Sequence, residues 1–181
     1  MSTFVLSLKS SWRELKKVKS LAVIAMLLAL SVVLGSLTIN VSANLKIGFS
    51  FLAIALIGYL FGPVAAGLAN GVKDILTYVV LPTGAYFPGY TFNNLVSGFI
   101  YGAFLYQKKV TLTRAILGKL LVNLIVNITL NSLWLVVLGG PAAIAALPLR
   151  IFKNLALLPI EVAMLFFFLK TVEKMRRQLK V

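Results

Sequence analysis

The chain alternates between long apolar runs and short breaks that are polar or rich in glycine and proline. Three breaks stand out: "FGP" at 61–63, "PTGAYFPG" at 82–89 and "GGPAA" at 139–143. Since proline suits the first position of a helix, "FGP" predicts a tight turn between two helices. A helix that crosses a bilayer core needs about 20 apolar residues. The predicted spans are Val18–Leu37, Gly48–Phe61, Pro63–Leu81, Gly89–Gln107, Leu112–Leu138 and Ala146–Lys170.

Composition places these helices in a membrane. Hydrophobic residues make up 60% of the 181 positions and charged residues only 12%, with a mean hydropathy of +0.99. We therefore predict an all-α integral membrane protein, a bundle of six transmembrane helices that forms a single domain over 1–181. A basic segment over 1–17 precedes the bundle, and a basic tail over 171–181 follows it.

The distribution of lysine and arginine predicts the orientation of the spans. Cytoplasmic ends of membrane helices carry the excess of positive charge. Here the cations cluster before the first span, between the fourth and fifth, and after the sixth, so both termini are expected in the cytoplasm. The three clusters are Lys9, Arg13, Lys16, Lys17 and Lys19; Lys108, Lys109 and Arg114; and Lys170, Lys174, Arg176, Arg177 and Lys180.

The N-terminal segment fits two interpretations. Phe4, Leu8, Trp12 and Leu15 recur at helical spacing, with basic residues on the other faces, which is typical of a helix in the membrane interface. A frayed basic tail fits equally well. The basic start, the apolar run and "VSA" at 41–43 imitate a signal peptide, but the run is longer than the usual core of one, so we expect no cleavage.

Several kinds of chemistry are excluded by the residue types present. The chain has no cysteine and no histidine, and only four carboxylates: Glu14, Asp74, Glu161 and Glu173. We therefore predict no catalytic residues and no metal site. The net charge of +14 could suggest nucleic acid, but the cations flank apolar segments, so the expected partner is the lipid bilayer.

Polar residues inside the spans are costly unless they meet protein or water. In "KLLVNLIVNITLNSLW", four polar residues follow one another at steps of four, and Trp134 comes three further on. One face of the fifth helix is therefore polar, which indicates either a ligand cavity or hydrogen bonds between helices. The four residues are Lys119, Asn123, Asn127 and Asn131.

Aromatic and amide side chains coincide at the outer end of the fourth span. Tyr90, Phe92, Asn93 and Asn94 combine flat rings with donors and acceptors. This combination suits a planar heteroaromatic ligand, since rings stack while amides bind its edge. An ordinary interfacial aromatic belt is the alternative.

Three cations lie on the predicted outer side, where positive charge is normally scarce. Lys46, Arg150 and Lys153 would suit an anionic ligand, and Arg150 ranks first because a guanidinium binds carboxylates in a bidentate manner. Contact with lipid headgroups would also account for them.

Two carboxylates lie within predicted spans. Asp74 falls about 16 Å along the third helix, and its neighbour Lys73 points about 100° away from it. Asp74 must therefore bind either the edge of a ligand ring or a partner such as Lys73, Lys153 or unwound backbone. Glu161 and Lys119 reach the same depth, so we predict that they pair and take no part in ligand recognition.

Several stretches together resemble one known family. They are "AMLLA" at 25–29, "IGYLFGPVAAGLANGVKD" at 57–74 and "PGYTFNNLVSGFIYG" at 88–102. With six short apolar helices and a basic N-terminus, the chain resembles the substrate-binding S components of energy-coupling factor (ECF) vitamin transporters, and most of all the folate-specific members.

The resemblance implies a protein of the bacterial cytoplasmic membrane that is not an enzyme and carries no cofactor. Such proteins bind a vitamin on the outer side, dock on a membrane coupling subunit, and release the vitamin inside when two partner ATPases hydrolyse ATP. Ala25 and Ala29 are the positions that would meet the coupling subunit, and Ala22 lies on the same stripe of small residues.

Other functions stay open on the sequence alone. The ligand could be riboflavin, hydroxymethylpyrimidine or pantothenate. An integral membrane transferase or phosphatase would need clustered acids or histidines, which the chain does not offer. A membrane scaffold without a ligand is a further alternative.

Overall fold

A computed structural model describes residues 3–42, 45–80, 86–140 and 147–178. Most of these residues are helical, and the bounds agree closely with the predicted spans. The elements in chain order are α1 (Thr3–Glu14), α2 (Val18–Ser36), β1 (Thr38–Ser42), β2 (Leu45–Gly48), α3 (Ser50–Phe61), α4 (Pro63–Val80), α5 (Pro88–Leu105), α6 (Leu112–Leu121), a π-helical segment (Val122–Leu130), α7 (Asn131–Gly139) and α8 (Leu147–Gln178).

The prediction of an all-α protein missed one β-hairpin. Strands β1 and β2 pair in antiparallel fashion between α2 and α3, with Ile39 opposite Ile47 and Asn40 opposite Lys46. The stretch is rich in β-branched residues and too short and polar to extend the helix before it, which favours a strand pair. Helix α8 continues beyond the sixth predicted span to Gln178, so residues 171–178 of the basic tail are helical.

Helices α3, α4 and α5 form the most closely packed part of the fold. The turn at "FGP" uses Gly62 at a φ of 93°, which favours glycine, and the Gly62 N–H donates to the Gly58 carbonyl. A Cβ on Gly98 would lie 2.3 Å from the Ala66 carbonyl oxygen, so α4 and α5 touch through their backbones. This contact fixes how α4 and α5 lie against each other, and both helices carry polar side chains.

Helix α1 is packed against the bundle, so the frayed-tail interpretation of the N-terminus is wrong. The Ala65 N–H, in the first turn of α4, donates to Ser11 Oγ at 3.1 Å, and Ser11 is fully buried. This hydroxyl therefore satisfies one of the free N–H groups at the start of α4. Glu14 accepts from Lys17 Nζ and Ser20 Oγ, and these bonds hold the pKa of its carboxyl below its usual range.

The fifth predicted span is one continuous helix with a π-helical middle. Segments α6, Val122–Leu130 and α7 follow without a break from Leu112 to Gly139. Wider π turns frequently mark functional sites. Within this segment Asn127 Nδ2 donates to Asn123 Oδ1 at 2.8 Å, so these two members of the predicted row of amides lie next to each other on the helix.

Within the described part of the chain, three helices are long and apolar enough to cross a bilayer: α2, the α6–α7 helix and α8. Helix α3 is apolar but has only 12 residues. Helices α4 and α5 have 18 residues each and carry polar side chains at mid-length. The chain is therefore a membrane protein that crosses the bilayer more than once.

Candidate functional site

A cavity of about 190 Å³ lies between α3, α4, α5 and the α6–α7 helix. Its wall is unusually polar for the interior of an apolar bundle, because amides, hydroxyls and two ammonium groups face it. An apolar side is supplied by Phe51, Ile54, Val122 and Val126. The polar lining consists of Asn70, Asn93, Asn94, Asn127, Asn131, Ser50, Ser97, Tyr90, Tyr101, Lys73 and Lys119.

Asn93 joins α5 to α7 on one side of the cavity. Its Oδ1 accepts from Trp134 Nε1 at 2.9 Å, and its Nδ2 donates to Asn131 Oδ1 at 2.7 Å. Only 3% of Asn93 is exposed, so these bonds replace water that the side chain has lost. This side of the cavity is thereby formed by amides that already have protein partners.

Asn70 joins α4 to α5 on the opposite side. Its Nδ2 donates to the Asn94 carbonyl oxygen at 2.6 Å and to Ser97 Oγ at 2.7 Å. Asn94 Nδ2 in turn donates to Asp74 Oδ1 at 2.8 Å and to the Tyr90 carbonyl at 3.0 Å. Both hydrogens of the Asn94 amide are thus used, and its Oδ1 is left as the group that can accept.

Asp74 binds α5 and not the partners that the sequence suggested. Its Oδ2 accepts from Thr91 Oγ1 at 2.7 Å, and its Oδ1 accepts from Asn94. Within residues 45–80, 86–140 and 147–178 it forms no ion pair with Lys73 or Lys153. Asp74 is not among the residues that line the cavity, whereas Lys73 is. Direct contact between Asp74 and a ligand stays a prediction.

The other predicted site residues fall into three groups. Tyr90, Asn93, Asn94 and Asn131 line the cavity. Trp134 lies behind it, with its ring centroid 5.4 Å from that of Phe87, while Phe92 is on the outer surface with 52% exposure. Lys153 is half-buried and outside the lining, and the side chains of Lys46 and Arg150 lie outside the described part of the structure.

Sequence reasoning missed several residues that line the cavity. Asn70 and Lys73 are three apart on α4, so a shared face could have been recognised from their spacing. Ser97 comes one turn after Asn93 and Asn94 in the same way. Phe51 and Tyr101 gave no signal, because aromatic residues in apolar helices are most often packing residues.

The predicted pairing of Lys119 with Glu161 is confirmed. Lys119 Nζ lies 3.1 Å from Glu161 Oε1, and 4.1 Å from the centroid of the Phe51 ring. Lys119 is 3% exposed yet contributes to the cavity wall. The pair therefore lies beside the cavity, closer to it than the sequence suggested. That it takes no part in ligand recognition stays a prediction.

These features define a class of protein: a helical membrane protein with a polar cavity enclosed by its helices. Among the described residues, no group of three or more metal-ligating side chains is present. The chain belongs to the family of ECF transporter substrate-specific components, whose family model matches residues 19–169. The predicted resemblance to S components is thereby confirmed, and the family is a transporter component and not a class of enzyme.

Individual relatives are similar over most of their length. The Folate transporter FolT of Clostridium novyi (strain NT) is 33% identical over 167 residues, which cover 92% of this chain and 97% of that protein. The Folate transporter FolT of Leuconostoc mesenteroides subsp. mesenteroides is 34% identical over 157 residues, 83% of this chain and 84% of the relative. A crystal structure of FolT bound with folic acid matches with a TM-score of 0.75 and 36% identity, over 83% of this chain and 92% of that chain.

Proposed function

We propose that this protein is the folate-binding subunit of an ATP-driven ECF importer. The observation that carries the proposal is the amide-lined cavity within an apolar bundle, in a chain 36% identical to a FolT bound with folic acid. Folate has a flat pterin ring whose edge carries several donors and acceptors, and asparagine amides supply both. Among the described residues that line the cavity there is no carboxylate, and the chain has no histidine or cysteine, so the commonest general bases are not offered to a substrate there.

The size of the cavity suggests which part of folate lies inside it and which part lies at its mouth. At about 190 Å³ it is smaller than the roughly 300–1,000 Å³ of most ligand pockets, so it suits the ring better than the whole vitamin. The glutamate tail carries two carboxylates, which are costly to bury without partners. We place the tail at the outer mouth, near Lys46, Arg150 and Lys153, with Tyr90 and Trp134 toward the ring.

The proposed topology has six spans with both termini in the cytoplasm of a bacterial cell. Helices α4 and α5 cross the membrane because their polar residues bind each other and line the cavity, so these groups avoid lipid. Helix α3 is short but packs against both of them. The basic clusters at 9–19, 108–114 and 170–177 then lie on one side of the membrane.

Docking on a coupling subunit would use the face of α2 that points away from the helix bundle. Ala22, Ala25 and Ala29 are all exposed there, while Ile24 and Ser31 are buried on the opposite face. Small residues allow the backbone of another helix to approach closely. In this proposal the coupling subunit and two ATPases supply the energy, and this chain needs no cofactor of its own.

The proposal is tested by ligand binding to the purified protein in detergent. We expect saturable binding of folic acid at one site per chain, and competition by folates but not by riboflavin, pantothenate or hydroxymethylpyrimidine. Asn93→Ala should lower the affinity for folic acid about 10-fold or more, because Trp134 and Asn131 lose their hydrogen-bond partner. Thr113→Ala, at an exposed position, is the control.

Two outcomes would reject the proposal. Tighter binding of another vitamin would make the protein an S component for that vitamin. Binding of none of them would favour a scaffold. The absorbance spectrum of the protein as isolated is an independent check, since a bound pterin and a bound flavin absorb at different wavelengths.

A further inference from the structure

Lys73 carries a charge into the middle of a membrane-spanning helix. It is the eleventh residue of α4, about 15 Å along the helix from Pro63, and its half-buried side chain lines the cavity. A charged side chain at this depth is expected to meet a partner, because hydrocarbon does not solvate it. Which group meets this ammonium is therefore a functional question.

The ordinary partners are already engaged elsewhere. Both carboxylate oxygens of Asp74 accept bonds from α5, from Thr91 and from Asn94. Glu161, the other carboxylate at mid-membrane, is paired with Lys119. Over the described ranges, Lys73 Nζ takes part in no hydrogen bond and no ion pair. Its ammonium is thus a donor that faces the cavity with its bonding capacity unused.

The neighbouring groups limit what a partner can be. Asp74, next in sequence, offsets the charge of Lys73, so a neutral acceptor is sufficient and a buried carboxylate is not required. Asn94 also lines the cavity, and it presents its Oδ1 because its Nδ2 is bound to Asp74 and Tyr90. This cavity wall therefore carries a donor on Lys73 and an acceptor on Asn94.

Resting on the proposed folate function, we infer that Lys73 donates to the 4-oxo oxygen of the pterin ring and so selects 4-oxo over 4-amino rings. The ring carries an N–H at position 3 directly beside this oxygen, which matches an acceptor and a donor on the protein. Lys73 recognises the oxygen, and Asn94 Oδ1 accepts from the N–H. An ammonium has no lone pair, so it repels a 4-amino group at the same place.

A cycle of two proteins and two ligands tests this inference. The ligands are folic acid and aminopterin, which differ at position 4. The proteins are the wild type and Lys73→Met, with Lys109→Met as the control for loss of a cation outside the cavity lining. We expect the wild type to prefer folic acid by about tenfold or more, the range of a hydrogen bond to a charged group. Lys73→Met should bind folic acid about 10- to 100-fold more weakly than the wild type, whereas its affinity for aminopterin should change little. The preference for folic acid is then lost.

Each other outcome would overturn the inference. Equal losses for both ligands would show that Lys73 supports the site without contacting position 4. A loss that disappears with pteroic acid, which lacks the glutamate, would show that Lys73 binds the tail. A thermal unfolding curve shows whether Lys73→Met is folded. If it is not, the two affinities of the wild type serve as the test, because equal affinity for folic acid and aminopterin contradicts a donor at position 4. Failure of the wild type to bind any folate rejects the proposed function instead.

Discussion

Glu161→Gln should destabilise the protein strongly, because it leaves Lys119 charged and buried without its counter-ion. At 3.1 Å and an effective dielectric constant of about 20, the gross attraction of the pair is roughly 5 kcal/mol. Much of it offsets the cost of dehydrating both groups, so the net value of the pair is far smaller. Breaking a buried pair from one side typically costs about 3–5 kcal/mol, and the Phe51 ring beside Lys119 recovers only a fraction.

The measurement is equilibrium unfolding by a denaturing detergent in mixed micelles. We expect Glu161→Gln to lower the unfolding free energy by about 3 kcal/mol or more, and Lys119→Met combined with Glu161→Gln to recover most of it. Lys170→Met is the matched control, because Lys170 pairs with Glu173 at the same 3.1 Å but is 52% exposed, and the buried Glu173 keeps Arg177 as a partner at 3.1 Å, so about 1 kcal/mol or less is expected. If Glu161→Gln costs no more than Lys170→Met, the argument from burial is refuted.

Three further changes probe packing, docking and the site. Gly98→Ala should destabilise the fold by more than about 2 kcal/mol, whereas Gly118→Ala should be nearly neutral, since its Cβ would meet only Phe104 at 3.7 Å; equal unfolding curves would contradict this. Ala25→Trp should abolish uptake in cells and leave folic acid binding intact, and wild-type uptake would disprove docking through α2. Asp74→Asn should weaken folic acid by about 2 kcal/mol without unfolding, because Thr91 or Asn94 loses an acceptor; unchanged affinity would remove Asp74 from the site.

The helices could be predicted from sequence because each one is marked locally. Proline and glycine punctuate the apolar runs, and the starts of α4 and α6 fall where predicted, at Pro63 and Leu112. The row of amides on the fifth span was also recognisable, since a spacing of four is a property of one helix alone. Asn131 was found in this way, and Asn93 and Asn94 were found from the aromatic and amide cluster of the fourth span; all three line the cavity.

What could not be predicted depends on how helices are rotated against each other. Lys73 and Asp74 point about 100° apart, so only one of them can face a given cavity, and the choice is made by the backbone contact at Gly98 and Ala66. The partner of Asp74, Thr91, is 17 positions away on another helix. The β-hairpin was missed for a different reason: its strands are too short for a periodic pattern to distinguish them from a loop.

The adjacent charges at Lys73 and Asp74 make sense once they are assigned to different faces of α4. Asp74 faces α5, where it holds the Asn94 amide by its nitrogen and so fixes which end of that amide can meet a ligand. Lys73 faces the cavity beside that amide. Both residues are needed. Without Asp74, the Asn94 amide could rotate and present a second donor beside the Lys73 ammonium. Without Lys73, the Asp74 carboxylate would leave a net negative charge in the membrane. The pair thus orders the polar wall while keeping this level of the bundle neutral.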